Sequence, residues 1–294
     1  MARPGNINGN KRITIRDIAE KKRRQERISV VTSYDYSLAS LCDGAGADIL
    51  MVGDSAGMVM LGYENTVPVT MEEMCMFTGA VGRARKRSFI VSDLPFMSYQ
   101  TGVSDAIANA GRLVRAGADA VKLEGGSEMA SKIRGITDAG IPVMGHIGLR
   151  PQTAGLAGGY RVQGRTAAEA RRLLDDAAAI EEAGAFSVVL ELVTRQAAKA
   201  VTEGISIPTI GIGSGPGCDG QVLVIHDMLG MYDAIKPKFA KRYRNLSDEI
   251  AGAVSSYVGD VVDGVFPAQE NCFEMDEIEC GRLAETLKKG RTHT

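Results

Sequence analysis

The chain has 294 residues, 45% of them apolar, and a formal net charge of −2. This length allows a large buried core, and the near-neutral charge gives no indication of nucleic acid or a membrane surface as a partner. Aromatic residues make up only 5% of the chain while glycines number 35, a composition more typical of a barrel of parallel strands than of a β-sandwich.

The chain begins with a polar segment that lacks the apolar core of a signal peptide, and residues about 1–11 are expected to form a flexible tail. No apolar run approaches the roughly 18 residues of a membrane-spanning helix. The five cysteines are dispersed without CxxC spacing, which argues against a disulfide framework or a structural zinc site. We therefore expect a reducing, cytoplasmic compartment.

A repeating unit runs along the chain, consisting of a short apolar segment, a polar or glycine-rich stretch and a helical pattern. The apolar segments are typical of strands buried on both faces. They lie at residues 28–32, 48–52, 88–92, 119–123, 141–144, 186–190 and 207–212. This alternation predicts βα units and a parallel sheet.

The helical patterns between these strands carry start and stop signals. Residues 104–116 and 166–183 are the clearest examples, and the second opens with Thr166 and Glu169 at capping-box spacing. Several helices end in Ala-Gly-Ala, where glycine can adopt the left-handed cap conformation. Before the first strand, the basic run 21–24 is expected on the solvated face of an early helix, with contact to an anionic substrate tail as the alternative.

The eighth strand is ambiguous. Residues 222–225 are apolar enough, but they follow the seventh strand closely, and Asp219 resembles the N-cap of a helix over residues 221–230. We favour a short strand near residues 239–241.

Two further helical patterns, at residues 248–262 and about 275–289, complete the chain. We predict an α/β fold, a (β/α)8 TIM barrel with a C-terminal helical extension. We expect a single domain over residues 1–294, with its C-terminal helices in about 245–294.

Polar residues stand at the ends of the predicted strands. They are Asp54, Asp93, Glu124 and Glu191, with Lys122 and His146 beside them. The carboxyl ends of the strands of a (β/α)8 barrel surround one site, so these residues are expected to converge. Several acids in one mouth repel each other unless a cation neutralises them, and oxygen ligands without a Cys/His set favour magnesium.

Such a site suits a 2-keto acid, whose carboxylate and keto oxygens can chelate the ion together. Chelation makes the neighbouring C–H more acidic, and a remaining carboxylate can remove the proton. Lys122 can add positive charge near the developing enolate. The electrophile that this enolate attacks does not follow from composition or periodicity.

Each of these residues also has a structural explanation. A strand-end acid can cap a helix, Lys122 can be half of an ion pair, and His146 can be structural. The glycine-rich segment 211–215 can cradle a phosphate or simply allow a tight turn. We interpret His226 as structural and Cys218 as a small buried thiol. The prediction of a site therefore depends on several residues standing at equivalent strand ends.

Eleven segments together carry a resemblance to a known family. They are TSYDY (32–36), VGDSAG (52–57), PVTME (68–72), SDLPFM (92–97), VKLEGG (121–126), GHIGLRPQ (145–152), GGYRVQGR (158–165), LEL (190–192), IGIGSGPGCDGQ (210–221), HDMLG (226–230) and PKFAKRY (237–243). At these residues the chain resembles the ketopantoate hydroxymethyltransferase (3-methyl-2-oxobutanoate hydroxymethyltransferase) family, over roughly residues 12–270. So many segments in the right order are far more specific than any one glycine motif.

The resemblance implies a reaction in which 3-methyl-2-oxobutanoate forms a magnesium-stabilised enolate. The enolate takes a hydroxymethyl unit from the co-substrate 5,10-methylenetetrahydrofolate and water, giving 2-dehydropantoate for pantothenate biosynthesis. The resemblance also implies a cytoplasmic homo-oligomer, commonly a decamer. The pair Asn271-Cys272 departs from the His-Ser more common in the family, at the C-terminal edge of the match.

The resemblance also implies roles for individual residues. The family's metal ligands, for one Mg²⁺ per subunit, fall on Asp54, Asp93 and Glu124. Its substrate-binding positions fall on Ser55, Asp54, Asp93, Lys122 and His146. Its general base falls on Glu191.

Two alternatives remain open. Another metal-dependent 2-keto-acid aldolase or lyase on the same barrel would share the metal site, although the segment 162–164 and the Lys122/Glu124 pair favour the transferase. Product analysis with and without the folate would separate the two enzymes. A catalytically silent binding protein is a different class, and the presence of every expected acid argues against it.

Overall fold

A computed structural model describes residues 11–155, 158–233 and 237–290. The predicted N-terminal tail lies almost entirely outside the described residues. The chain divides into two compact units, Met1–Arg244 and Asn245–Thr294. Each unit is described by itself below.

The first unit contains a closed barrel, in which eight parallel strands of the described residues pair in chain order and β1 also pairs with β8. The strands are β1 (Ile28–Thr32), β2 (Ile49–Val52), β3 (Phe89–Asp93), β4 (Ala120–Lys122), β5 (Val143–Gly148), β6 (Ser187–Glu191), β7 (Thr209–Ile212) and β8 (Gly220–Leu223). The predicted (β/α)8 barrel is confirmed. β5 runs past its predicted end at residue 144 because His146 and Gly148 pair with β6.

Helices follow the strands around the barrel. Those of the described part of this unit are α1 (Ile15–Arg23), α2 (Tyr36–Gly44), α3 (Ala56–Val59), α4 (Met71–Ala84), α5 (Val103–Ala116), α6 (Ala130–Asp138), α7 (Ala167–Glu182), α8 (Arg195–Gly204) and α9 (Ile225–Leu229). Among the described helices, none is long and apolar enough to cross a membrane.

Two apolar layers hold the barrel together because successive strand side chains point to opposite faces. In β2, Ile49 and Met51 belong to the cluster inside the barrel, whereas Leu50 and Val52 pack in the cluster under the surrounding helices. All four side chains are almost fully buried. This double burial explains why the strands are continuous apolar runs without polar alternation.

The predicted helix signals are largely confirmed. The central glycines of the three Ala-Gly-Ala segments, Gly46, Gly117 and Gly184, all have a positive φ, of 91°, 127° and 96°. Thr166 caps α7 by accepting a hydrogen bond from the Glu169 N–H. The Glu169 carboxylate accepts from the Arg165 N–H instead of returning to Thr166, so only half of the predicted capping box forms.

The favoured position of the eighth strand, near residues 239–241, is wrong. The strand is Gly220–Leu223, and Gly220 pairs with Ile28 of β1 and with Ile210 of β7. The close approach of the backbones explains the glycine, because a Cβ there would lie 2.6 Å from the Ile28 carbonyl oxygen. Asp219 is not the predicted helix cap, since α9 begins after Val224.

Three aspartates stabilise the lower end of the barrel, which is the end where its strands start. Asp48, Asp119 and Asp219 directly precede β2, β4 and β8. Each carboxylate accepts a hydrogen bond from a backbone N–H near the start of the preceding strand, at Ser29, Ile90 and Thr209, respectively. Each is also paired with a cation, namely Lys21, Arg85 and Lys22, respectively. These aspartates are therefore structural.

The prediction that the basic run 21–24 lies on a solvated face is wrong for its two lysines. Lys21 Nζ lies 2.7 Å from Asp48 Oδ2, and Lys22 Nζ lies 3.0 Å from Asp219 Oδ2. Lys22 also donates to the carbonyl oxygens of Thr202 and Ile207. A helical run of lysines cannot reveal from sequence that two of them reach acids far along the chain. The two arginines are mostly exposed.

The second unit contains α10 (Leu246–Val262) and α11 (Glu277–Gly290), close to their predicted bounds. The α10 helix carries a row of apolar side chains at helical spacing that are roughly half exposed. They are Ile250, Val254, Tyr257, Val258 and Val261. An exposed apolar row of this kind is typical of an interaction surface.

Candidate active site

The site lies at the carboxyl ends of the strands, as predicted. Asp93, Lys122 and Glu191 are the last residues of β3, β4 and β6, and His146 lies within β5. Asp54 and Glu124 each follow two residues after a strand end. Because the parallel strands all end at one rim, residues separated by more than a hundred positions in the chain meet there.

A buried ion pair lies at the centre of the site. Lys122 Nζ is 3.0 Å from Asp93 Oδ2, and both side chains are almost fully buried. The same Asp93 oxygen accepts a hydrogen bond from the backbone N–H of Asp54, at 3.1 Å. This close approach explains Gly53, where a Cβ would lie 2.8 Å from Ser55 Oγ and 3.6 Å from Asp93 Oδ2.

His146 links the ion pair to two further acids. Its Nδ1 lies 3.3 Å from Lys122 Nζ and 3.6 Å from Glu124 Oε1, and its Nε2 lies 3.3 Å from Glu191 Oε2. The last contact lacks hydrogen-bond alignment. Burial lowers the pKa of His146, and the positive Lys122 lowers it further, so the ring is neutral near pH 7. A neutral ring facing an ammonium at Nδ1 carries its proton on Nε2, toward Glu191.

The site has an excess of acids. Burial, and after it the charge of Asp93, raise the pKa of Asp54 to about 7. Burial and the charge of Asp54 also raise the pKa of Glu124 well above its ordinary value. Burial alone lowers the pKa of Lys122, but the negative charges of Asp93, Glu124 and Asp54 outweigh it, and the pKa is raised overall. The Lys122 ammonium is therefore the positive charge that interacts with all three of these buried carboxyls.

The site offers carboxyl oxygens, the kind of donor that magnesium takes in proteins. Asp93 Oδ1 is buried and has no hydrogen-bond partner within the described residues. In the described ranges, no group of three or more His, Cys, Asp or Glu side chains is placed to hold a metal ion. Magnesium typically takes only one or two protein carboxylates and completes its shell with water and substrate oxygens. The carboxyl groups of Asp54, Asp93 and Glu124 supply oxygen donors of this kind, and Asp93 Oδ1 has no hydrogen-bond partner among the described residues.

Ser55 and Tyr34 form a second feature of the rim. The Ser55 hydroxyl lies 2.8 Å from the Tyr34 hydroxyl. Tyr34 is fully buried, and burial raises its pKa above the ordinary value, so the phenol keeps its proton. Ser55 was predicted as a substrate contact, whereas Tyr34 was missed although it lies in the quoted segment 32–36.

Sequence reasoning also missed Gln152 and Tyr99. Both are buried, and their side chains meet at 2.7 Å between Tyr99 Oη and Gln152 Oε1. Gln152 Nε2 donates to Asp54 Oδ2 at 2.8 Å, and the Gln152 backbone N–H donates to Glu124 Oε2 at 3.1 Å. Gln152 stands in the quoted segment 145–152, but no spacing rule connects it to Asp54.

Other candidate residues have structural roles. His226 is buried with its ring 5.6 Å from that of Tyr34, and the Cys218 thiol is buried, as predicted for both. In the segment 211–215, Gly213 and Gly215 have positive φ, and Ser214 Oγ bonds the backbone of β6 at Leu190. The glycines therefore allow a tight turn that ties β7 to β6.

Comparisons with known proteins find similar sequences over most of the chain. A family model described as ketopantoate hydroxymethyltransferase matches residues 12–269. The 3-methyl-2-oxobutanoate hydroxymethyltransferase of Nitrosopumilus maritimus (strain SCM1) is 60% identical over 93% of this chain and 98% of its own. The enzyme of the same name from Cenarchaeum symbiosum (strain A) is 64% identical over 88% of this chain and 98% of its own.

Solved structures of lower identity share the fold. A 2,3-dimethylmalate lyase of the PEP mutase/isocitrate lyase superfamily aligns with a TM-score of 0.55 and 16% identity, covering 95% of this chain and 99% of that chain. A phosphonopyruvate hydrolase in complex with oxalate and Mg²⁺ aligns with a TM-score of 0.56 and 13% identity, covering 95% and 98%. At such identities the likeness shows the barrel alone.

Proposed function

The chain belongs to the ketopantoate hydroxymethyltransferase family, and from this premise we propose that it converts 3-methyl-2-oxobutanoate into 2-dehydropantoate. The keto acid loses its C3 proton, and the resulting carbanion bonds to the methylene carbon of 5,10-methylenetetrahydrofolate. Water supplies the hydroxyl oxygen, and tetrahydrofolate leaves. The observation that supports this reaction best is the cluster of buried acids around one lysine, which suits an acidic keto-acid substrate only together with a cation.

Magnesium is the proposed metal, one per subunit, with Asp54, Asp93 and Glu124 as the residues that would hold it. When bound, it supplies positive charge that neutralises these acids and acidifies the C–H next to the keto group. The unpartnered Asp93 Oδ1 and the raised pKa of Asp54 and Glu124 support this assignment. Both pKa shifts mark carboxyls whose ionised form requires more positive charge than Lys122 alone provides.

The chain's own residues account for the remaining steps. Lys122 stays protonated and lies where it can stabilise the developing enolate oxygen. Ser55, fixed by the Tyr34 hydroxyl, can hydrogen-bond the substrate. Glu191 is the proposed base, since its carboxylate lies at the strand end, is partly accessible and is approached by the His146 Nε2. His146 Nε2 lies 3.3 Å from the Glu191 carboxylate that is proposed to take the C3 proton.

The experiment that tests this function is proton NMR of 3-methyl-2-oxobutanoate in deuterated buffer with enzyme and Mg²⁺, followed by the folate. We expect loss of the C3 proton signal and then formation of 2-dehydropantoate. Glu191→Gln should slow the exchange by about 10²- to 10⁴-fold, the usual contribution of a general base. The exposed Glu182→Gln is the matched control and should exchange normally.

The outcomes separate the alternatives. Exchange without product after the folate is added would favour a keto-acid aldolase or lyase. Absence of exchange in the unaltered enzyme would refute the catalytic assignment. Normal exchange in Glu191→Gln would refute only the choice of base.

We also propose a cytoplasmic homo-oligomer, a decamer as the family resemblance implies. The half-exposed apolar row on α10 supports self-association, and the five free cysteines support a reducing compartment. Native mass spectrometry at micromolar concentration tests the assembly. Val258→Asp should shift it toward smaller species, and a monomeric unaltered protein would contradict the proposal.

A further inference from the structure

Gln152 hydrogen-bonds the carboxyl groups of two of the proposed metal ligands, one through its side chain and the other through its backbone N–H. It lies in a short 3₁₀ turn, Pro151–Thr153, directly after the loop that leaves β5. Its side-chain amide donates to Asp54, which lies 98 positions earlier in the chain. Its backbone N–H donates to Glu124, which lies 28 positions earlier. The residue is 3% exposed, so these contacts are made without competition from solvent.

The orientation of the Gln152 amide is fixed by its partners. Nε2 donates to Asp54 Oδ2 at 2.8 Å and to the Leu94 carbonyl oxygen at 2.9 Å, and both partners are acceptors only. Oε1 accepts from the Tyr99 hydroxyl at 2.7 Å. A flipped amide would set Oε1 against two acceptors, so the donor end must face Asp54.

Tyr99 is itself held in place. Its hydroxyl accepts from the backbone N–H of Glu124 at 3.1 Å. Two acceptors lie within reach of its proton, Gln152 Oε1 at 2.7 Å and the Glu124 carbonyl oxygen at 3.1 Å, and the shorter contact is the one to Gln152. Burial raises the pKa of Tyr99, so this proton is retained. A continuous set of hydrogen bonds therefore runs from the Glu124 backbone through Tyr99 and Gln152 to the Asp54 carboxylate.

We propose that Gln152 is a positioning residue that holds Asp54 and Glu124 with one oxygen of each bonded and the other free for Mg²⁺, and that Tyr99 fixes the Gln152 amide. This inference rests on the proposed function, because it requires these acids to be metal ligands. N–H donors bond ionised carboxylates more strongly than neutral carboxyls, and the ionised form is the one that binds a cation.

The test is calorimetric measurement of Mn²⁺ binding without substrates, on Gln152→Met, Tyr99→Phe and the unaltered enzyme. Methionine has a similar length but no donor. We expect Gln152→Met to weaken Mn²⁺ binding by about 10- to 100-fold and Tyr99→Phe by a smaller factor, as for other residues that orient metal ligands. Gln221→Met is the matched control, since its amide bonds the Gly215 carbonyl instead of an acid. Melting temperatures show whether each variant is folded.

Asp93→Ala distinguishes failure of the proposed metal site from failure of the positioning role of Gln152. If Asp93→Ala loses Mn²⁺ binding and Gln152→Met binds like the control, the positioning role is overturned while the metal site stands. If the unaltered enzyme and Asp93→Ala bind Mn²⁺ equally, the metal site and the positioning role both fall. Should Gln152→Met not fold, normal Mn²⁺ affinity in folded Tyr99→Phe would count against the inference.

Discussion

Replacement of Asp54 by asparagine should make the metal-free protein more stable while it removes a proposed metal ligand. Asp54 is 4% exposed, and its ionised carboxylate lies among other acids. Asparagine has the same shape and carries no charge. Its side-chain oxygen can still accept the Gln152 Nε2 hydrogen bond. The substitution therefore removes mainly the electrostatic penalty.

The size of this electrostatic penalty follows from the pKa of Asp54. Burial and Asp93 raise it from 3.8 to about 7. At about 1.4 kcal/mol per unit, this shift sets an upper limit of about 4 kcal/mol on the penalty. This limit already includes the attraction between Asp54 and Lys122. Asparagine also buries an amide N–H group, which offsets part of the gain, so we expect a net gain of roughly 2 kcal/mol in the free energy of unfolding.

The sign of the pH dependence is fixed by the raised pKa. In the folded protein Asp54 binds its proton more tightly than in the unfolded chain, so its contribution to stability is present below the unfolded pKa, near 4. That contribution is lost as the pH rises through the folded value of about 7. The advantage of Asp54→Asn should therefore be near zero at about pH 4 and reach its plateau above about pH 7.

Urea denaturation in EDTA at about pH 5 and pH 8 measures this difference. Added Mg²⁺ should stabilise the unaltered protein and not the variant, since a ligand stabilises the state that binds it. The exposed Asp138→Asn is the control and should change stability by less than about 0.5 kcal/mol at either pH. A variant that is less stable than the unaltered protein at pH 8 without metal would refute the reasoning.

Two other substitutions probe the barrel itself. Asp43 is buried and accepts hydrogen bonds from the backbone N–H groups of residues 86–88, which outweigh the effect of burial and lower its pKa. Asp43→Asn should cost about 2–4 kcal/mol in urea denaturation at pH 7. This deficit should shrink below about pH 4, as the carboxylate of the unaltered protein is protonated; a constant deficit would contradict it. Gly148 has a φ of 95°, and an added Cβ would lie 2.3 Å from the Glu191 carbonyl oxygen. Gly148→Ala should cost about 2–4 kcal/mol, whereas Gly140→Ala, with a φ of 85° and open space, should cost only about 1 kcal/mol. Equal thermal stabilities of these two variants would contradict the steric argument.

The barrel could be predicted from sequence because each strand is buried on both faces and therefore stands out as an apolar run. The eighth strand, Gly220–Leu223, does not, since Gln221 is exposed and Gly220 has no side chain. Its position is set by pairing with β1 and β7, which is a property of barrel closure and not of the local sequence.

The convergence of Asp54, Asp93 and Glu124 could be predicted for a related reason. Strand ends share one rim in any parallel barrel, so topology alone brings them together. The partners of those acids could not be predicted, because Gln152 reaches Asp54 across 98 positions through one side-chain rotamer. The metal, the folate and the roles of the individual residues remain predictions.

The aspartates at the two ends of this barrel would respond in opposite ways to selection. Asp48 and Asp219 at the lower end are paired with lysines and with backbone donors, so a library selected for heat resistance should retain them. Asp54 at the upper rim accepts a hydrogen bond from Gln152, but this bond and Lys122 do not outweigh burial and the charge of Asp93, so its pKa is raised. The same library should therefore replace Asp54 readily. A variant enriched for heat resistance alone would then be more stable but would lack a residue of the proposed active site. Libraries built on this chain must therefore be screened for turnover and heat resistance together.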